Sequence, residues 1–522
     1  MKNQKYLTVG IIGFVIILPQ LLKAQPKKQL INKGVVCISG IYDSIGEADT
    51  LTLTIWEHTV SNKIRKFTST GRVVSVVKNK RFRFLLDSLE EPFYFTLTKI
   101  TNNVQINLLE YQICCPGDNI EIKIIEAHKF PQKSGFGNNS ITFSFNGKGS
   151  EKLKCLQDLN NANEILDKNY LQQVDYGSVI RLNNGVVPIA DSFSFSYGRM
   201  ENLLSGQLKI LERYKYQLPI DIYQLMKADL VGKYVVNFFV PFLIKFNYPF
   251  FNGKSIMSKQ DKTDFVKLFQ SKVPSFEKFL SFPIKAQVQS FWYADALLYM
   301  TYFEGYIVPD KSLYDKLKTQ YDGLLRERLI TNYLLNNANK RDADSLVNDA
   351  LTFVKEKIYY NTLAKLLKEQ QVGTEAYNFT LEDDLGKIVK LSDFRGKVVF
   401  IDFWFTGCGG CSYYFKNVLS KVENIFKNNP NIVFISISVD SNKEKWLRGL
   451  NSQLYTSPSV INLYTANKEA EHPIIKQMNV IGYPHPLLID RNGKIFCNDQ
   501  GQLKDDGVDG LVSAIKKAAV SL

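Results

Sequence analysis

Short runs in which apolar and polar residues alternate fill the first part of the chain, up to about residue 147. The clearest runs are Thr50–Trp56, Arg81–Asp87, Glu121–Ile125 and Ile141–Phe145. Alternation with a period of two is typical of strands that bury one face and leave the other in water. The pattern therefore predicts an antiparallel β-sandwich over residues 26–147.

The spacing of apolar residues changes after this stretch. Leu363, Leu366 and Leu367, for example, recur at the three- and four-residue spacing of an amphipathic helix. Strand-like alternation is scarce as far as residue 370. We therefore predict a mostly α-helical region over residues 151–370, in which the many phenylalanines form core rather than a ligand site.

A regular order of strands and helices follows a linker-like segment at Gln370–Phe379. Lys397–Trp404 and Asn431–Asp440 are nearly continuous apolar runs, which indicate strands buried on both faces. Hairpins are predicted on either side of them, and helices after each buried strand and near the C-terminus. This order predicts an α/β fold over residues 372–522.

The first residues have the three-part pattern of a secretory signal peptide. Lys2 and Lys5 precede an uncharged apolar run from Leu7 to Leu18, and a small residue, Ala24, stands where cleavage is expected. The run is shorter than the about 20 residues that a transmembrane helix needs. We predict a signal peptide over residues 1–24, and a mature chain in the periplasm or cell envelope without an integral membrane span. A buried N-terminal helix and an uncleaved anchor stay open as alternatives.

Charge and composition narrow the functional classes. The 522 residues carry a formal net charge of +14, spread along the chain without a long Lys/Arg run or a nucleic-acid motif. Such a distribution favours a solvated basic surface over a nucleic-acid partner. Seven cysteines are too few to make a chain of this length a disulfide scaffold.

The cysteines also argue against a metal site. A structural zinc site needs four ligands, usually including a second close cysteine pair. Apart from the pair at residues 408 and 411, the only close pair is Cys114–Cys115, which lies in another region, so no metal or cofactor is predicted. Any pairing among Cys37, Cys114, Cys115 and Cys155 stays open, and Cys497 is expected to be a buried thiol outside any disulfide.

The sequence FWFTGCGGCSYY, residues 403–414, brings two cysteines three positions apart at the end of a predicted strand. Backbone N–H groups at a helix start are unpaired and partly positive, so they stabilise a thiolate at Cys408. Cys411 lies one turn later, within reach of the Cys408 sulfur. We predict that Cys408 exchanges with a client disulfide and that Cys411 resolves the mixed disulfide. The glycines around Cys408 leave a client room to approach.

Two further residues are candidates for this chemistry. Asp402 interrupts the apolar run six residues before Cys408, where burial raises the pKa of a carboxyl and suits it to accept a proton from Cys411. A structural carboxyl bonded to nearby backbone is the alternative. Pro484 follows an aromatic residue and precedes an apolar run, as expected of a cis-proline beside an open edge where an extended peptide could pair.

Together, LSDFRGKVVFIDFWFTGCGGC and IGYPHPLLIDRNGKI resemble the TlpA-like thiol–disulfide oxidoreductases of the thioredoxin fold, over roughly residues 372–522. The resemblance implies that Cys408 is the attacking cysteine, Cys411 the resolving one, Asp402 the buried acid and Pro484 the cis-proline. The order of signal, β-domain and helical region is similar to that of multidomain redoxins from Bacteroidetes envelopes.

The chain departs from many such relatives beside the cysteines. Gly407 replaces a Trp, the two glycines after Cys408 replace Gly-Pro, and His485 replaces a Thr. Because the pair between the cysteines tunes the redox potential, the direction of the reaction stays open. We expect His485 to face solvent, with an electrostatic influence on the thiols as the alternative. The predicted lining of the substrate groove is Trp404, Gly407, Tyr483 and His485.

The sequence thus predicts an exported thiol–disulfide oxidoreductase that acts on protein thiols and disulfides. It would depend on an upstream redox partner, with a membrane-bound one among the candidates. An envelope binding or scaffold module with a secondary redox domain is one alternative. A thiol peroxidase is another, but it requires a Thr-rich loop and a nearby Arg. Here Thr406 lies two rather than three residues before Cys408, and no Arg is close in sequence.

Overall fold

A computed structural model of the chain describes most of its residues. The described residues are 34–46, 49–56, 71–75, 80–87, 89–101, 104–127, 140–173, 189–247, 259–307, 312–338, 342–370, 372–466, 468, 472–478, 480, 482–498 and 500–520. The predicted signal peptide, residues 1–24, lies outside them.

Eight strands form the N-terminal part of the described chain. They are β1 (Val36–Tyr42), β2 (Thr50–Trp56), β3 (Gly71–Ser75), β4 (Arg81–Leu86), β5 (Phe93–Thr101), β6 (Val104–Cys114), β7 (Asn119–Ala127) and β8 (Ser140–Lys148). One sheet has the order β4–β1–β7–β8 and the other β3–β2–β5–β6. Both sheets contribute alternate residues, such as Ile38, Phe95 and Ile122, to one apolar core. The predicted sandwich is confirmed, but β1 and β7 pair in parallel, so the first sheet is mixed rather than antiparallel.

Helices make up the central part, as the apolar spacing predicts. Those described are α1 (Ser150–Gln173), α2 (Ile189–Glu212), α3 (Ile220–Asn247), α4 (Lys259–Phe279), α5 (Ile284–Gln289), α6 (Tyr293–Ile307), α7 (Leu313–Gln320), α8 (Gly323–Asn336), α9 (Ala343–Leu351) and α10 (Lys357–Gln370). Their apolar core extends into the sandwich through Trp56 and Tyr94, and the Tyr94 hydroxyl donates a 2.6 Å hydrogen bond to Asp229. None of the helices in the described ranges is both long and apolar enough to cross a membrane.

A seven-stranded sheet of the order β10–β9–β13–β12–β11–β14–β15 forms the C-terminal part. Its strands are β9 (Thr380–Asp383), β10 (Ile388–Lys390), β11 (Val398–Trp404), β12 (Ile432–Ser438), β13 (Ile461–Tyr464), β14 (His485–Ile489) and β15 (Ile495–Cys497). All residues of β11 are buried, as its apolar run predicts, because it lies between β12, which is parallel to it, and the antiparallel β14. The pattern does not predict β13, whose four residues are too few to distinguish a strand from a loop.

One long helical segment begins at the cysteines and covers one face of this sheet. It comprises α11 (Gly409–Tyr414), a π-helical turn (Phe415–Leu419) and α12 (Ser420–Phe426). The remaining α-helices are α13 (Lys443–Ser452), α14 (Pro473–Gln477) and α15 (Gly507–Val520), and short helical turns lie at Leu391–Phe394 and Gly501–Asp505. Phe400 on β11 packs with Val422 on α12 and Ile515 on α15. Because side chains alternate along a strand, Asp402 points to the same helix-covered face as Phe400.

Candidate active site

Cys408 and Cys411 form a disulfide at the junction of β11 and α11, with their Cα atoms 5.3 Å apart. Cys408 is the N-cap residue of α11, and the backbone N–H of Cys411 donates to its sulfur at 3.0 Å. Cys408 is 6% exposed and Cys411 1%. The sulfur at position 408 is therefore the one closer to solvent, and an N–H group is already placed to stabilise it as a thiolate.

A buried carboxylate, Asp440, holds the loop that leads to Cys408. Asp440 follows β12 and accepts hydrogen bonds from the Thr406 backbone N–H at 3.0 Å and from the Thr406 hydroxyl at 2.7 Å. It also accepts from the Ser438 hydroxyl at 2.9 Å and forms a 3.2 Å ion pair with Lys445 of α13. The Asp440 side chain is fully buried, so these partners offset the cost of burying its charge.

Aromatic side chains support the same loop from beneath. The Trp404 ring stacks on Tyr455 with ring centroids 5.0 Å apart, and its Nε1 donates to the Ser436 hydroxyl at 2.6 Å. The Tyr455 hydroxyl in turn accepts the Gly407 N–H at 2.9 Å. Gly407 has a φ of +98°, a backbone conformation that only glycine adopts readily. The backbone conformation is therefore one reason for glycine at this position, and a Cβ placed on it would have no heavy atom within 4 Å.

Asp402 lies beneath the dithiol loop, 1% exposed, and its Oδ1 has no hydrogen-bond partner among the described residues. Burial is the main cause that raises the pKa of Asp402 well above its usual value, and the nearby Glu423 carboxylate adds to it. Lys504 and the backbone amides of His485 and Phe403 lower the Asp402 pKa, but less. This side chain can therefore exist as a neutral acid, and so can hold a proton inside the domain.

The cis-proline candidate lies directly against the dithiol loop. The Tyr483–Pro484 peptide bond is cis. A Cβ placed on Gly410 would lie 3.4 Å from Pro484 Cδ and 3.7 Å from the Tyr483 carbonyl oxygen. Gly407 is exposed, and Tyr483 and Pro484 are half-buried. These residues thus form a surface beside the disulfide that is open to solvent.

The two other predicted groove residues are buried instead. Trp404 has no exposed surface, because it lies under the loop and stacks on Tyr455. His485 is only 3% exposed, so the expectation that it faces solvent is wrong. It lies at the start of β14 opposite Phe403 of β11, inside the sheet. Burial, together with the smaller effect of the positive charge of Lys504, lowers the pKa of His485 to about 3, so the ring is neutral at physiological pH.

Sequence patterns do not point to three residues around the site: Asp440, Tyr455 and Glu423. Asp440 and Tyr455 reach the loop across 34 and 48 positions of the chain, which a local pattern cannot reveal. Glu423 lies on α12 within KVENIF, between the buried Val422 and Phe426. Its position on the apolar side of that helix is the one signal that distinguishes it from a surface glutamate.

The five other cysteines form no disulfide: Cys37, Cys114, Cys115, Cys155 and Cys497. Cys497 is buried, as expected. Within the described ranges, no group of three or more His, Cys, Asp or Glu side chains is placed to hold a metal ion.

Comparisons with known proteins find a family and relatives for part of the chain. The model of the thioredoxin-like family matches residues 396–495. Thiol-disulfide oxidoreductase ResA of Bacillus subtilis is 25% identical over 162 residues, which cover 31% of this chain and 86% of that protein. ResA of Bacillus cereus is 28% identical over 160 residues, or 30% of this chain and 83% of that protein.

Solved structures match a similar share of the chain. The thioredoxin domain of a thiol-disulfide oxidoreductase from Bacteroides vulgatus is 28% identical and covers 28% of this chain and 96% of that one, with a TM-score of 0.24. A putative thiol:disulfide interchange protein DsbE from Chlorobium tepidum is 25% identical, with a TM-score of 0.24. The match covers 29% of this chain and 99% of that one. The family match includes both cysteines, and residues 396–495 of this chain are thus a thioredoxin-like domain. The curated relatives of the chain are thiol–disulfide oxidoreductases.

Proposed function

We propose that this chain is a thiol–disulfide oxidoreductase in which Cys408 and Cys411 exchange disulfides with protein clients. The observation that carries the proposal is the placement of the disulfide. Its more accessible sulfur, at Cys408, caps a helix start and accepts the Cys411 N–H, and the cis Tyr483–Pro484 segment lies against the same loop. Such a position suits a nucleophile far better than a structural cross-link.

The reaction takes place in two exchanges. In the reduced protein the Cys408 thiolate attacks a client disulfide, so that a mixed disulfide forms and one client sulfur leaves as a thiolate. Cys411 then gives its proton to Asp402 and attacks the Cys408 sulfur. The Cys408–Cys411 bond forms, the bond to the client breaks, and the second client sulfur leaves. The protein dithiol is oxidised and the client disulfide is reduced. In the oxidising direction the same steps occur in reverse.

We place the client chain across Gly407, Gly410 and the Tyr483–Pro484 segment. Glycine at 410 leaves the gap between the helix start and the proline free of side-chain atoms. Because proline has no N–H, the edge beside it is not closed by a ladder hydrogen bond, and an extended peptide can pair with the neighbouring backbone. Trp404 and His485 support this surface from inside rather than contact the client.

The pattern of residues 1–24 supports export, and we place the reaction in the periplasm or cell envelope. After each reaction with a client, a second redox protein must reduce or oxidise the Cys408–Cys411 pair back to its initial redox state. A membrane-bound electron donor or acceptor could fill this role. The peroxidase alternative has less support, because the Thr406 hydroxyl donates to Asp440 and is not available to a peroxide.

Trapping of clients in vivo tests the proposal. A Cys411→Ser variant lacks the resolving thiol, so it should accumulate mixed disulfides through Cys408 that disappear on reduction. The double variant Cys408→Ser/Cys411→Ser should trap nothing. Cys497→Ser is the matched control and should behave as the parent, because Cys497 is buried away from the dithiol. If Cys411→Ser and the double variant give the same pattern, the proposal fails.

A further inference from the structure

An aromatic side chain lies at the rim of the dithiol site and has no part in the exchange chemistry described above. It is Phe405, the residue directly after β11, whose ring is half-buried. The ring packs against the buried cluster that contains Cys408 and Cys411, whereas the preceding Trp404 belongs to that cluster and has no exposed surface. Part of an apolar ring is therefore left in water beside the reactive sulfur, which is unfavourable unless another surface covers it.

Tyr483 supplies a second ring at the same place. Its ring centroid is 5.6 Å from that of Phe405, and the two ring planes meet at 84°, the edge-to-face arrangement that aromatic rings prefer. Tyr483 is also half-buried, and it packs against the same cluster of Cys408 and Cys411. The two rings come from distant segments of the chain but form one surface, which we call the aromatic pair (Phe405 and Tyr483).

Contacts with the dithiol loop fix the position of the aromatic pair. The Cys408 N–H donates to the Phe405 carbonyl oxygen at 3.1 Å. The Tyr483 carbonyl oxygen would lie 3.7 Å from a Cβ placed on Gly410, the second residue after Cys408. Lys445 of α13 contacts the Phe405 ring from another element, with its Nζ 5.9 Å from the ring centroid. Both rings are thus held beside the disulfide before a client arrives, so that a contact with them costs little ordering.

No side chain occupies the position directly before Cys408. Gly407 is exposed, and a Cβ placed on it would have no heavy atom within 4 Å. A client can therefore bring its own side chains close to the dithiol. Consecutive Cα atoms of a chain are about 3.8 Å apart, so the residues on either side of the client cysteine come within reach of the aromatic pair when that cysteine bonds to Cys408.

We propose that the aromatic pair makes the protein select clients with an apolar side chain, above all an aromatic one, next to the reacting cysteine. The inference rests on the proposed function, in which the Cys408 thiolate attacks a client disulfide. The exchange itself is unchanged: the bond from Cys408 to one client sulfur forms, the client disulfide breaks, and the other client sulfur leaves as a thiolate. A phenyl ring packed against Phe405 and Tyr483 leaves water and gains ring contacts, whereas a glycine gains neither.

Two synthetic clients that differ only beside the cysteine test this selection. Each is the symmetrical disulfide of an end-capped tripeptide, with cysteine between two phenylalanines in one and between two glycines in the other. Reduced full-length protein is mixed with each disulfide, and the released peptide thiol is quantified by chromatography after an acid quench. Each rate constant is divided by that of the same disulfide with dithiothreitol, which corrects for intrinsic reactivity. The ratio of the two corrected rate constants is the selectivity.

We expect the parent protein to react about tenfold faster with the phenylalanine client than with the glycine client. Phe405→Ala should lower this selectivity to about threefold or less, because one of the two rings is lost, and Phe405→Trp should retain it. Phe394→Ala is the matched control and should keep the parent selectivity, because Phe394 is also half-buried but packs against a core that does not contain the cysteines. A change in the reactivity of Cys408 alone affects both clients equally, so a merely structural role of Phe405 would leave the selectivity unchanged.

Equal corrected rate constants for the two clients in the parent protein overturn the selection while the exchange itself stands, and this result does not depend on the folding of any variant. Parent-like selectivity in Phe405→Ala, or an equal loss of selectivity in Phe394→Ala, overturns the role of the aromatic pair. A parent protein that releases thiol from neither client overturns the proposed function, and the selection with it. The two failures are therefore distinguishable in one experiment.

Discussion

Replacement of Asp440 should release the loop that presents Cys408. Asp440→Ala removes the acceptor of the Thr406 N–H and hydroxyl and the ion partner of Lys445, all of which the structure places within 3.2 Å of the carboxylate. Asp440→Asn keeps one oxygen acceptor and loses the charge, so its effect should have the same sign and be smaller. The matched control is Asp490→Asn, since Asp490 holds the N–H groups of a distant hairpin in a similar way.

The size of the effect follows from the bonds that are lost. A hydrogen bond to a charged group contributes about 1.5–3 kcal/mol, and Thr406 makes two to Asp440. The Asp440–Lys445 ion pair adds less, because Lys445 is 35% exposed and water solvates its charge once Asp440 is removed. These contributions overlap, so we expect local opening of the loop to become easier by about 3 kcal/mol. Since about 1.4 kcal/mol corresponds to a factor of ten in an equilibrium constant, a change of about 3 kcal/mol raises the equilibrium constant for local opening about a hundredfold.

Hydrogen–deuterium exchange of the oxidised full-length protein measures this directly. In Asp440→Ala the amides of residues 406–408 should lose about a hundredfold of their protection, while those of β14 keep theirs. Client exchange should slow in parallel, because Cys408 is no longer held in one position. Asp490→Asn should leave the loop amides as in the parent. Unchanged protection at residues 406–408 in a folded Asp440→Ala protein would refute the role we give to Asp440.

Two further predictions concern the glycines and His485. Gly407→Ala should destabilise the C-terminal domain by about 1–2 kcal/mol in thermal unfolding, because a Cβ is disfavoured in the left-handed region. Gly410→Ala should leave the thermal stability of the domain unchanged but slow insulin reduction, because the new Cβ enters the gap beside Pro484. If the two glycine variants lose the same stability and the same insulin-reduction rate, these separate roles of Gly407 and Gly410 are wrong. The pKa of His485 is about 3 in the folded protein, well below the unfolded value of 6.5, so the unfolded state binds more protons and stability falls as the pH drops below 6.5. Between pH 6.5 and pH 5, the free energy of unfolding should fall by about 2 kcal/mol less in His485→Gln than in the parent. If the free energy of unfolding depends on pH in the same way in both proteins, the histidine does not cause this loss of stability.

Local sequence patterns predict the framework of the site. β11 is recognisable because a strand buried on both faces is nearly continuous in apolar residues, and Asp402 is conspicuous as its one charged residue. The cysteine spacing places Cys408 at a helix start, and the aromatic residue before Pro484 marks the cis peptide. Each of these signals lies within a few residues of the feature that it predicts.

The remaining features depend on contacts between distant segments. The pattern gives no reason to bring Asp440 to Thr406, because only the parallel pairing of β11 and β12 places the end of one strand beside the loop after the other. The burial of His485 is also not predicted, because it depends on the position of β14 between β11 and β15, where the strand is buried on both faces. The parallel pairing of β1 with β7 cannot be predicted either, because apolar and polar residues alternate in the same way in parallel and antiparallel strands.

The most direct test of the account is the reactivity of each cysteine in the reduced protein. Iodoacetamide labelling at neutral pH, followed by mass spectrometry of the peptides, gives a rate for Cys408, for Cys411 and for the half-buried Cys37. We expect Cys408 to be labelled fastest by a wide margin, with Cys411 shielded behind it. Labelling of Cys408 no faster than that of Cys37, or after Cys411, would contradict its role as the attacking thiol.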